Sequence, residues 1–266
     1  MRQETRGVKP LSPAVLGEAM TGHQLREFAR LGEDAMALKL IIGNKNYSSW
    51  SFRPWIAMKG LGIAFEEELI PFGQPIGNPE FKSRVAKYSP AGKVPVLIDG
   101  DVHVWETIAI LEYLAEKFSA LWPIAPAARA HARAICAEMH AGFQALRSEC
   151  PMNFRRPPQP RELSVAAHAD VKRIEVIWTE CRERYGGPFL FGRFGAADAM
   201  FAPVVARFHT YAIPTGREAL AYMQAVVALP AWVEWKTAAV KEVWVVAEDE
   251  IDWPTVLLAP VDENSP

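Results

Sequence analysis

The chain has 266 residues, half of them apolar, with 29 basic and 31 acidic side chains and a formal charge of −2. This near-neutral balance gives no general attraction to nucleic acid, and no block of like charge indicates a membrane or an acidic partner. No apolar run approaches the ~18 residues of a membrane span, and three cysteines without short spacings argue against a disulfide framework or a metal-binding ribbon, so we expect a cytoplasmic protein without a metal site.

Residues 1–36 precede the first strand-like run and lack the continuous apolar stretch of a signal peptide. Acidic residues are spread through this segment, which disfavours an organelle transit peptide. We predict a mobile N-terminal extension. The alternative is a short helix over about residues 13–31 that packs on the body of the protein.

The patterns in residues 37–118 follow the order β-α-β-α-β-β-α, which is typical of a mixed α/β domain with a terminal hairpin. The pattern predicts strands at 37–43, 65–70, 94–98 and 102–105. It predicts helices at 55–60, 79–87 and 106–118.

The sequence after residue 118 changes character. Residues 119–127 contain two prolines and predict a linker. An all-helical domain is predicted over 128–244, with helices at 129–147, 165–185, 196–209, 217–227 and 230–243. Residues 245–266 are predicted to form an irregular, acidic tail.

Two serines lie between the first strand and the first helix. Ser48 and Ser49 are typical of helix N-caps, but a helix N-terminus also offers partial positive charge and unpaired N–H groups to a bound thiolate. Because Pro54 has no N–H, we expect regular helix bonding to begin near Ser51. That start would leave the hydroxyls of Ser48 and Ser49 free.

Two further features belong to the same domain. A proline at the head of the strand at 94–98 removes a ladder donor. A cis Val94–Pro95 bond resolves this and turns the Val94 backbone toward a peptide ligand. Glu106 and Thr107 open the third helix, where an acid complements the helix dipole; alternatively, their carboxylate and hydroxyl bind the amino-acid end of a ligand.

Taken together, these motifs resemble the N-terminal domain of cytosolic glutathione transferases over about residues 38–118, and the helical second half fits the same architecture. The similarity is greatest to the zeta class, which includes maleylacetoacetate isomerases. Trp50 replaces the cysteine of that class, which argues against thiol exchange at a protein cysteine. The motifs are Ser48-Ser49-x-Ser51-x-Arg53, Pro90-x-Gly92-Lys93-Val94-Pro95 and Glu106-Thr107-x-Ala109-Ile110-x-Glu112-Tyr113-Leu114.

The resemblance implies a thioredoxin-like α/β domain followed by an all-α helical bundle, with glutathione as co-substrate. The thiol of glutathione would be activated by Ser48, with Ser49 as the close alternative. The implied glutathione-binding residues are Lys93, Val94, Pro95, Glu106 and Thr107. The candidates for an electrophile pocket between the domains are Trp50, His140, Arg147, Arg155 and His209. Taken singly, the two histidines are more typical of helix packing, and Arg155 of a solvated loop.

The leading functional interpretation is a glutathione transferase that acts on a small electrophile. The alternatives are a glutathione-dependent isomerase of the maleylacetoacetate type and a non-catalytic binding or scaffold protein. Peroxidase or lyase chemistry at the same site also stays open at this point. The resemblance further implies a homodimer.

Overall fold

The structure is a computed structural model, and it describes residues 38–73 and 75–251. The extension predicted at residues 1–36 lies outside the described residues, as does the tail beyond residue 251. Within the described part, an α/β region is followed by a helical region. The predicted fold class is therefore confirmed.

One mixed sheet is formed by the strands β1 Lys39–Ile42, β2 Glu66–Leu69, β3 Val96–Asp99 and β4 Val102–Trp105. The strand order is β2-β1-β3-β4. Strand β1 pairs in parallel with β2 and antiparallel with β3, and β3 forms a hairpin with β4. The hairpin turns through Gly100, whose φ of 60° favours a residue without a Cβ.

Both faces of the sheet are covered by the helices α1 Ser49–Gly60, α2 Pro79–Val85 and α3 Thr107–Lys117. Successive side chains of a strand point to opposite faces. Leu40 and Ile42 of β1 therefore join the main core with α1 and α3. Ile41 lies on the other face, where it packs with Phe81 of α2.

The second region contains α4 Pro126–Ala141, α5 Gln144–Glu149, α6 Val165–Tyr185, α7 Ala196–Thr210, α8 Arg217–Val227 and α9 Pro230–Val240, followed by a 3₁₀ turn at Ala247–Asp249. Helices α6 and α8 have the predicted bounds. Helix α4 begins at Pro126, inside the segment predicted as a linker, and α9 ends at Val240 instead of residue 243. Among the helices described, none is long and apolar enough to cross a membrane.

The single helix predicted at 129–147 is wrong, because two helices occupy that range. Helix α4 ends at Ala141, and Phe143 adopts a left-handed φ of 59° before α5 begins. A left-handed residue interrupts the right-handed hydrogen-bond ladder. At Gly142 a Cβ would lie 2.8 Å from the Glu138 carbonyl oxygen, so the chain passes closely there. The break gives the side chains of α5 a direction that a continuous helix would not.

The N-terminus of α7 is capped by a carboxylate, although the chain has Gly195 at the N-cap position. Asp198 accepts hydrogen bonds from the N–H of Gly195 at 2.9 Å and of Leu190 at 3.0 Å. Its side chain is almost fully buried, and this burial raises the pKa of Asp198 to about 7. Asp198 thus makes the bond from the third helical position back to the N-cap N–H, which is one half of a capping box.

Arg53 of α1 connects the two regions. Its side chain is fully buried, donates from Nε to the Met200 carbonyl of α7 at 2.9 Å, and donates from Nη1 to the Ser49 carbonyl at 2.9 Å. Beside it, Phe52 stacks on Trp235 of α9 with ring centroids 4.7 Å apart. Helix α1 therefore belongs to the core of both regions.

Candidate functional site

A cleft of about 660 Å³ opens beside the N-terminus of α1. One side is lined by Ser48, Ser49 and Val94, which we call the serine wall. The other side includes Arg147 and Arg207, which we call the arginine wall. The two walls come from different regions of the fold, so the cleft depends on how α1 packs against the helical region.

The hydroxyl of Ser48 is not free, which corrects the expectation from sequence. Ser48 is the N-cap of α1: its Oγ accepts from the Ser51 N–H at 3.4 Å and donates to the Ser51 Oγ at 2.7 Å. Ser51 Oγ also accepts from the Gly43 N–H at 3.1 Å. The hydroxyl of Ser49, by contrast, has no hydrogen-bond partner among residues 38–73 and 75–251. Both serines still line the cleft.

Helix α1 starts at Ser49, earlier than predicted, and it contains Pro54. Proline lacks the N–H that would bond to the carbonyl four residues earlier, which is that of Trp50. Thr107 fills this gap, because its hydroxyl donates to the Trp50 carbonyl at 3.0 Å. Thr107 is only 1% exposed, so its hydroxyl completes α1 from the start of α3. This is a different role from the ligand contact that sequence predicted for it.

The segment before β3 brings a second predicted feature into the cleft. The Val94–Pro95 peptide bond is cis, as predicted. Lys93 and Val94 line the cleft, and Lys93 is exposed. Within the part of the chain that the structure describes, the backbone N–H and C=O of Val94 have no hydrogen-bond partner. They are therefore free to pair with the backbone of a peptide ligand.

Glu106 lies at the N-terminus of α3 with its side chain exposed to solvent. Its backbone has a φ of 69°, which is uncommon for a residue with a side chain. Neither Glu106 nor Thr107 is among the residues that line the cleft. Of this pair, only Glu106 has its side chain exposed to solvent.

Trp50 is the centre of a cationic cluster. The guanidinium carbons of Arg53 and Arg147 lie 4.2 Å and 4.7 Å from its ring centroid, and His140 packs against it edge-on at 5.1 Å. Cation–π attraction holds both arginines against the indole. The structure thus brings together three of the predicted pocket residues, Trp50, His140 and Arg147.

Arg207 was not predicted as a site residue, yet it lines the cleft while being only 4% exposed. It donates from Nε to the Cys150 carbonyl at 2.8 Å and from Nη1 to the Pro203 carbonyl at 3.2 Å. Burial and the nearby charge of Arg147 lower the pKa of Arg207 to about 10. The side chain is therefore a fixed, buried cation at the cleft surface.

The segment 242–251, which we call the C-terminal strap, is fixed to the loop between β1 and α1. Glu242 accepts from the backbone N–H groups of Lys45 at 2.6 Å and Asn46 at 3.1 Å. Glu250 accepts from the Tyr47 hydroxyl at 2.5 Å. Burial and this bond raise the pKa of Tyr47 to about 12. The strap, whose residues from 245 onward were predicted as an irregular tail, therefore lies beside the cleft, which Asp249 lines.

Arg155 is part of this attachment and does not line the cleft. It donates to the carbonyls of Glu242 at 2.7 Å and Trp244 at 2.8 Å, and it also bonds to the Tyr47 hydroxyl. The prediction that Arg155 lines the electrophile pocket therefore does not match its position. Its contacts instead hold the strap in place.

His209, the remaining predicted pocket residue, lies elsewhere. It lines a second cavity of about 500 Å³ beside the C-terminal end of α7, together with Phe154 and Trp232. Burial and the charge of Lys236 lower the pKa of His209. The structure thus separates His209 from Trp50 and the serine wall.

The sequence reasoning missed the charged cleft residues Arg207 and Asp249, and it missed the role of Ser51, which lies behind Ser48 and is fully buried. Ser51 was quoted as part of a motif, but its hydrogen bonds depend on the backbone of Gly43. Arg207 could have been noticed as the single cation in the otherwise apolar run of α7. Asp249 gave no local signal, because acidic residues are common in its surroundings.

Comparisons of the sequence with known proteins match part of this chain. Residues 47–117 match the family model described as glutathione S-transferase, N-terminal domain. A dichloromethane dehalogenase of Methylophilus leisingeri is 46% identical over 57 residues, which is 21% of this chain and 20% of that protein. A probable maleylacetoacetate isomerase of Caenorhabditis elegans is 37% identical over 102 residues, which is 37% of this chain and 45% of that protein. The matches therefore span less than half the length of these curated relatives.

The similarity in three dimensions extends further. A glutathione transferase homologue from Burkholderia GL BGR1, solved with bound glutathione, has a TM-score of 0.58 and covers 77% of this chain and 98% of its own. Its sequence identity is 23%, so the likeness shows a shared fold. The shared fold includes both the sheet region and the helical region.

Proposed function

Residues 47–117 of this chain belong to the glutathione S-transferase N-terminal domain family, and from that premise we propose that the protein is a glutathione transferase. It binds glutathione along the serine wall and adds its thiol to a small electrophile. The observation that carries this proposal is the meeting of two features at one cleft. Ser48 and Ser49 at the N-terminus of α1 face the same space as the unpaired backbone of Val94.

Thiol activation needs a modest free energy. An ordinary thiol has a pKa of about 8.5, so only a few per cent is thiolate near pH 7. Lowering that pKa by about two units requires about 2.7 kcal/mol of preferential stabilisation of the thiolate. One charge-assisted hydrogen bond supplies about 1.5–3 kcal/mol, and a helix N-terminus supplies about 0.3–1 kcal/mol. A serine at the start of α1 offers both.

Ser48 can become the thiolate donor by a reversal of hydroxyl directions. Ser48 and Ser51 are joined through their Oγ atoms at 2.7 Å, and a hydroxyl both donates and accepts. If Ser51 donates to Ser48, Ser48 is free to donate to the thiolate. Ser51 keeps its position, because the Gly43 N–H still donates to it at 3.1 Å. Ser51 therefore acts as the positioning residue for Ser48.

Ser49 is the alternative donor, since its hydroxyl needs no rearrangement. The carbonyl of Ser49 is held by Arg53 at 2.9 Å, which fixes its backbone. We favour Ser48 as the thiolate donor because a hydrogen bond from Ser51 would strengthen and position its hydroxyl. Ser49 is the thiolate donor if the Ser48 hydroxyl keeps donating to the Ser51 hydroxyl.

The remaining contacts with glutathione are assigned from the charge and hydrogen-bonding capacity of the protein groups. Lys93, exposed at the cleft, suits a carboxylate of the tripeptide, and the backbone of Val94 beside Pro95 suits its cysteinyl residue. The exposed carboxylate of Glu106, at the start of α3, suits the ammonium of the γ-glutamyl end. We assign no ligand bond to the hydroxyl of Thr107, because it already donates to Trp50.

The electrophile is proposed to bind between Trp50 and the arginine wall, where Arg147 meets the cleft. A glutathione-dependent isomerase of the maleylacetoacetate type is the second candidate, and the similarity to the Caenorhabditis elegans protein supports it. A non-catalytic scaffold is less favoured, because a scaffold has no need for an unpaired Val94 backbone facing two serines. We also propose a homodimer and a cytoplasmic location, where the buried thiols of Cys136, Cys150 and Cys181 stay reduced.

The test measures the pKa of the thiol of bound glutathione from the absorbance of its thiolate. The unmodified protein is compared with Ser48→Ala and Ser49→Ala. We expect Ser48→Ala to raise the pKa of the bound thiol by about one to two units, since it removes one charge-assisted hydrogen bond. If only Ser49→Ala does so, the roles of the two serines are exchanged.

Ser164→Ala is the matched control. Ser164 is the N-cap of α6, accepts from the Ala167 N–H at 3.1 Å and lies outside the cleft. Its loss should lower stability by about 1 kcal/mol without moving the thiol pKa. Calorimetry that detects no glutathione binding at millimolar concentration would favour the scaffold instead.

A further inference from the structure

Two buried asparagines, Asn46 and Asn153, which we call the asparagine pair, join the loop before α1 to the helical region. Asn46 is fully buried, and Asn153 is only 2% exposed. The Asn46 Nδ2 donates to the Asn153 Oδ1 at 2.9 Å, and the Asn46 Oδ1 accepts from the Arg155 N–H at 3.0 Å. A buried amide is costly unless it is hydrogen-bonded, so these bonds fix one point of the loop to one point of the helical region.

The asparagine pair lies close to the serine wall along the chain. Asn46 belongs to a turn in which the Asn44 carbonyl accepts from the N–H groups of Tyr47 at 3.2 Å and Ser48 at 2.7 Å. Helix α1 begins at the next residue, Ser49. A displacement of Asn46 is therefore passed to the N-cap residue of α1, because one residue and a hydrogen-bonded turn separate them.

On its other side, the asparagine pair rests on a segment that is fixed to the end of α7. Arg207 donates from Nε to the Cys150 carbonyl at 2.8 Å, and the Tyr211 hydroxyl donates to the Pro151 carbonyl at 2.9 Å. Pro151 itself lines the cleft. Asn153 therefore meets Asn46 from a segment that already forms part of the cleft and is held by side chains of the helical region.

The Asn153 side chain is itself held in one orientation. Its Oδ1 accepts from the backbone N–H groups of Arg155 at 3.0 Å and Arg156 at 3.1 Å, in addition to the bond from Asn46. Hydrogen bonds that share one buried acceptor rigidify the groups around it. Asn153 is thus a fixed anchor for the loop before α1.

Resting on the proposed function, we propose that Asn153 is a positioning residue for thiol activation and that it acts through Asn46. Its contact sets the separation between the turn before α1 and the helical region, so that the Ser48 hydroxyl meets the thiol of glutathione. A misplacement of about 1 Å that originates far from the reacting atoms can lower a rate about a hundredfold. The Val94 backbone does not depend on the asparagine pair, so binding of the peptide part of glutathione is preserved.

The first test measures the pKa of the bound glutathione thiol, from thiolate absorbance, in Asn153→Ala. We expect that pKa to rise by about half to one unit, less than in Ser48→Ala, because the serine is displaced and not removed. The Kd for glutathione should change less than about threefold, since Lys93 and Val94 are untouched. An unchanged thiol pKa in a folded Asn153→Ala would overturn the proposal.

Asn46→Ala completes a double-mutant cycle that shows whether Asn153 acts through Asn46. Residues in direct contact have non-additive effects, so the double variant should raise the thiol pKa no further than the larger of the two single variants. Additive shifts would overturn the proposal. Val226→Ala is the control, because this side chain is fully buried in α8 and lies outside the cleft. It should lower the midpoint of denaturant unfolding without moving the thiol pKa, and an equal rise there would trace the effect to general destabilisation.

A further measurement uses the unmodified full chain and needs no variant to fold. Coupling between two sites is reciprocal, so glutathione should slow hydrogen exchange at the Arg155 amide, which donates to both asparagines, by about threefold or more. The Ala167 amide, which donates to Ser164 in α6, should be unaffected. Equal exchange at Arg155 with and without glutathione would overturn the role of the asparagine pair. A bound thiol that keeps its ordinary pKa of about 8.5 in the unmodified protein would instead be a failure of the proposed function.

Discussion

The two walls of the cleft are built from different parts of the polypeptide. The serine wall presents a helix N-terminus and the unpaired backbone of Val94, and its side chains are short. The arginine wall presents long cations from two helices, and its polar backbone groups are occupied in holding them. A wall of backbone suits a ligand that does not change, whereas a wall of side chains can be altered one residue at a time.

The walls also differ in what fixes them. The serine wall is closed by local hydrogen bonds, such as those joining Gly43, Ser51 and Ser48. The arginine wall depends on contacts between distant parts of the chain, since Arg207 donates to the Cys150 carbonyl and Arg147 packs on the Trp50 ring. Arg53 is the exception, because it donates to Ser49 on one side and to Met200 on the other.

Removing Arg53 should therefore have the largest effect, since both walls rest on it. We expect Arg53→Met to lower the free energy of unfolding by about 3–5 kcal/mol, because it strands two buried carbonyls and removes the stack on Trp50. Denaturant unfolding measures this. Arg133→Met is the control, because Arg133 forms an exposed pair with Glu112 worth about 0–1 kcal/mol. A loss below 1 kcal/mol for Arg53→Met would show that the walls are independent.

Thr107→Val tests the local closure of the serine wall. The variant leaves the buried Trp50 carbonyl without its donor, which should cost about 1–3 kcal/mol in unfolding free energy. Pro54→Ala restores a backbone N–H for the same carbonyl. The double variant should recover most of the loss, and a double-mutant cycle without coupling would contradict the compensation between Thr107 and Pro54.

Glu242→Gln tests the attachment of the strap. The amide keeps one acceptor but loses the charge, so the bonds from Lys45 and Asn46 should weaken by about 1–2 kcal/mol in total. Hydrogen exchange should become faster at these two amides. Glu234→Gln, in an exposed pair with Lys59, should leave both rates unchanged. Equal rates in Glu242→Gln and the unmodified protein would mean that the strap is held by Arg155 alone.

The smallest expected effect is a pH dependence. Burial, with the charges of Glu248 and Glu250, raises the pKa of Asp249 from 3.8 to about 6, against the attraction of Arg207. A folded-state pKa above the unfolded value favours the protonated folded protein, so the stabilising contribution is complete below pH 3.8 and is lost as the pH rises through about 6. Asp249→Asn should remove this loss in unfolding measured between pH 4 and 7; a shift of about two pKa units sets an upper limit of about 3 kcal/mol, and solvent screening of the half-buried carboxylate reduces it to roughly 1 kcal/mol. Parallel pH curves for the two proteins would contradict the raised pKa.

Much of the serine wall could be predicted from sequence because it depends on short spacings. The sheet, the cis Val94–Pro95 bond and the start of α3 all follow from residues within one element of one another. The prediction failed for Ser48, whose hydroxyl is bound to Ser51. A local pattern shows which residues can cap a helix, but not which of their hydroxyls remain unpaired.

The arginine wall was only half predicted, for a physical reason. Trp50, His140 and Arg147 meet through contacts between distant parts of the chain. Local sequence patterns contain no information on the distance between such residues. In the sequence, Arg155 and His209 are basic residues like Arg147 and Arg207. In the structure, Arg155 holds the strap and His209 lines the second cavity. Whether a charged side chain lines a cleft depends on the direction in which its helix presents it. The break between α4 and α5 changes that direction for Arg147, and the prediction missed this break.

The break between α4 and α5 has a consequence for how the cleft can be altered. The left-handed φ of Phe143 is a single dihedral that sets the direction in which α5, and with it Arg147, leaves the end of α4. A substitution at this pivot, such as Phe143→Gly, changes the freedom of that dihedral without touching Ser48, Ser51 or Val94. One backbone position outside the serine wall thus sets the direction of Arg147, so the two walls can be altered separately.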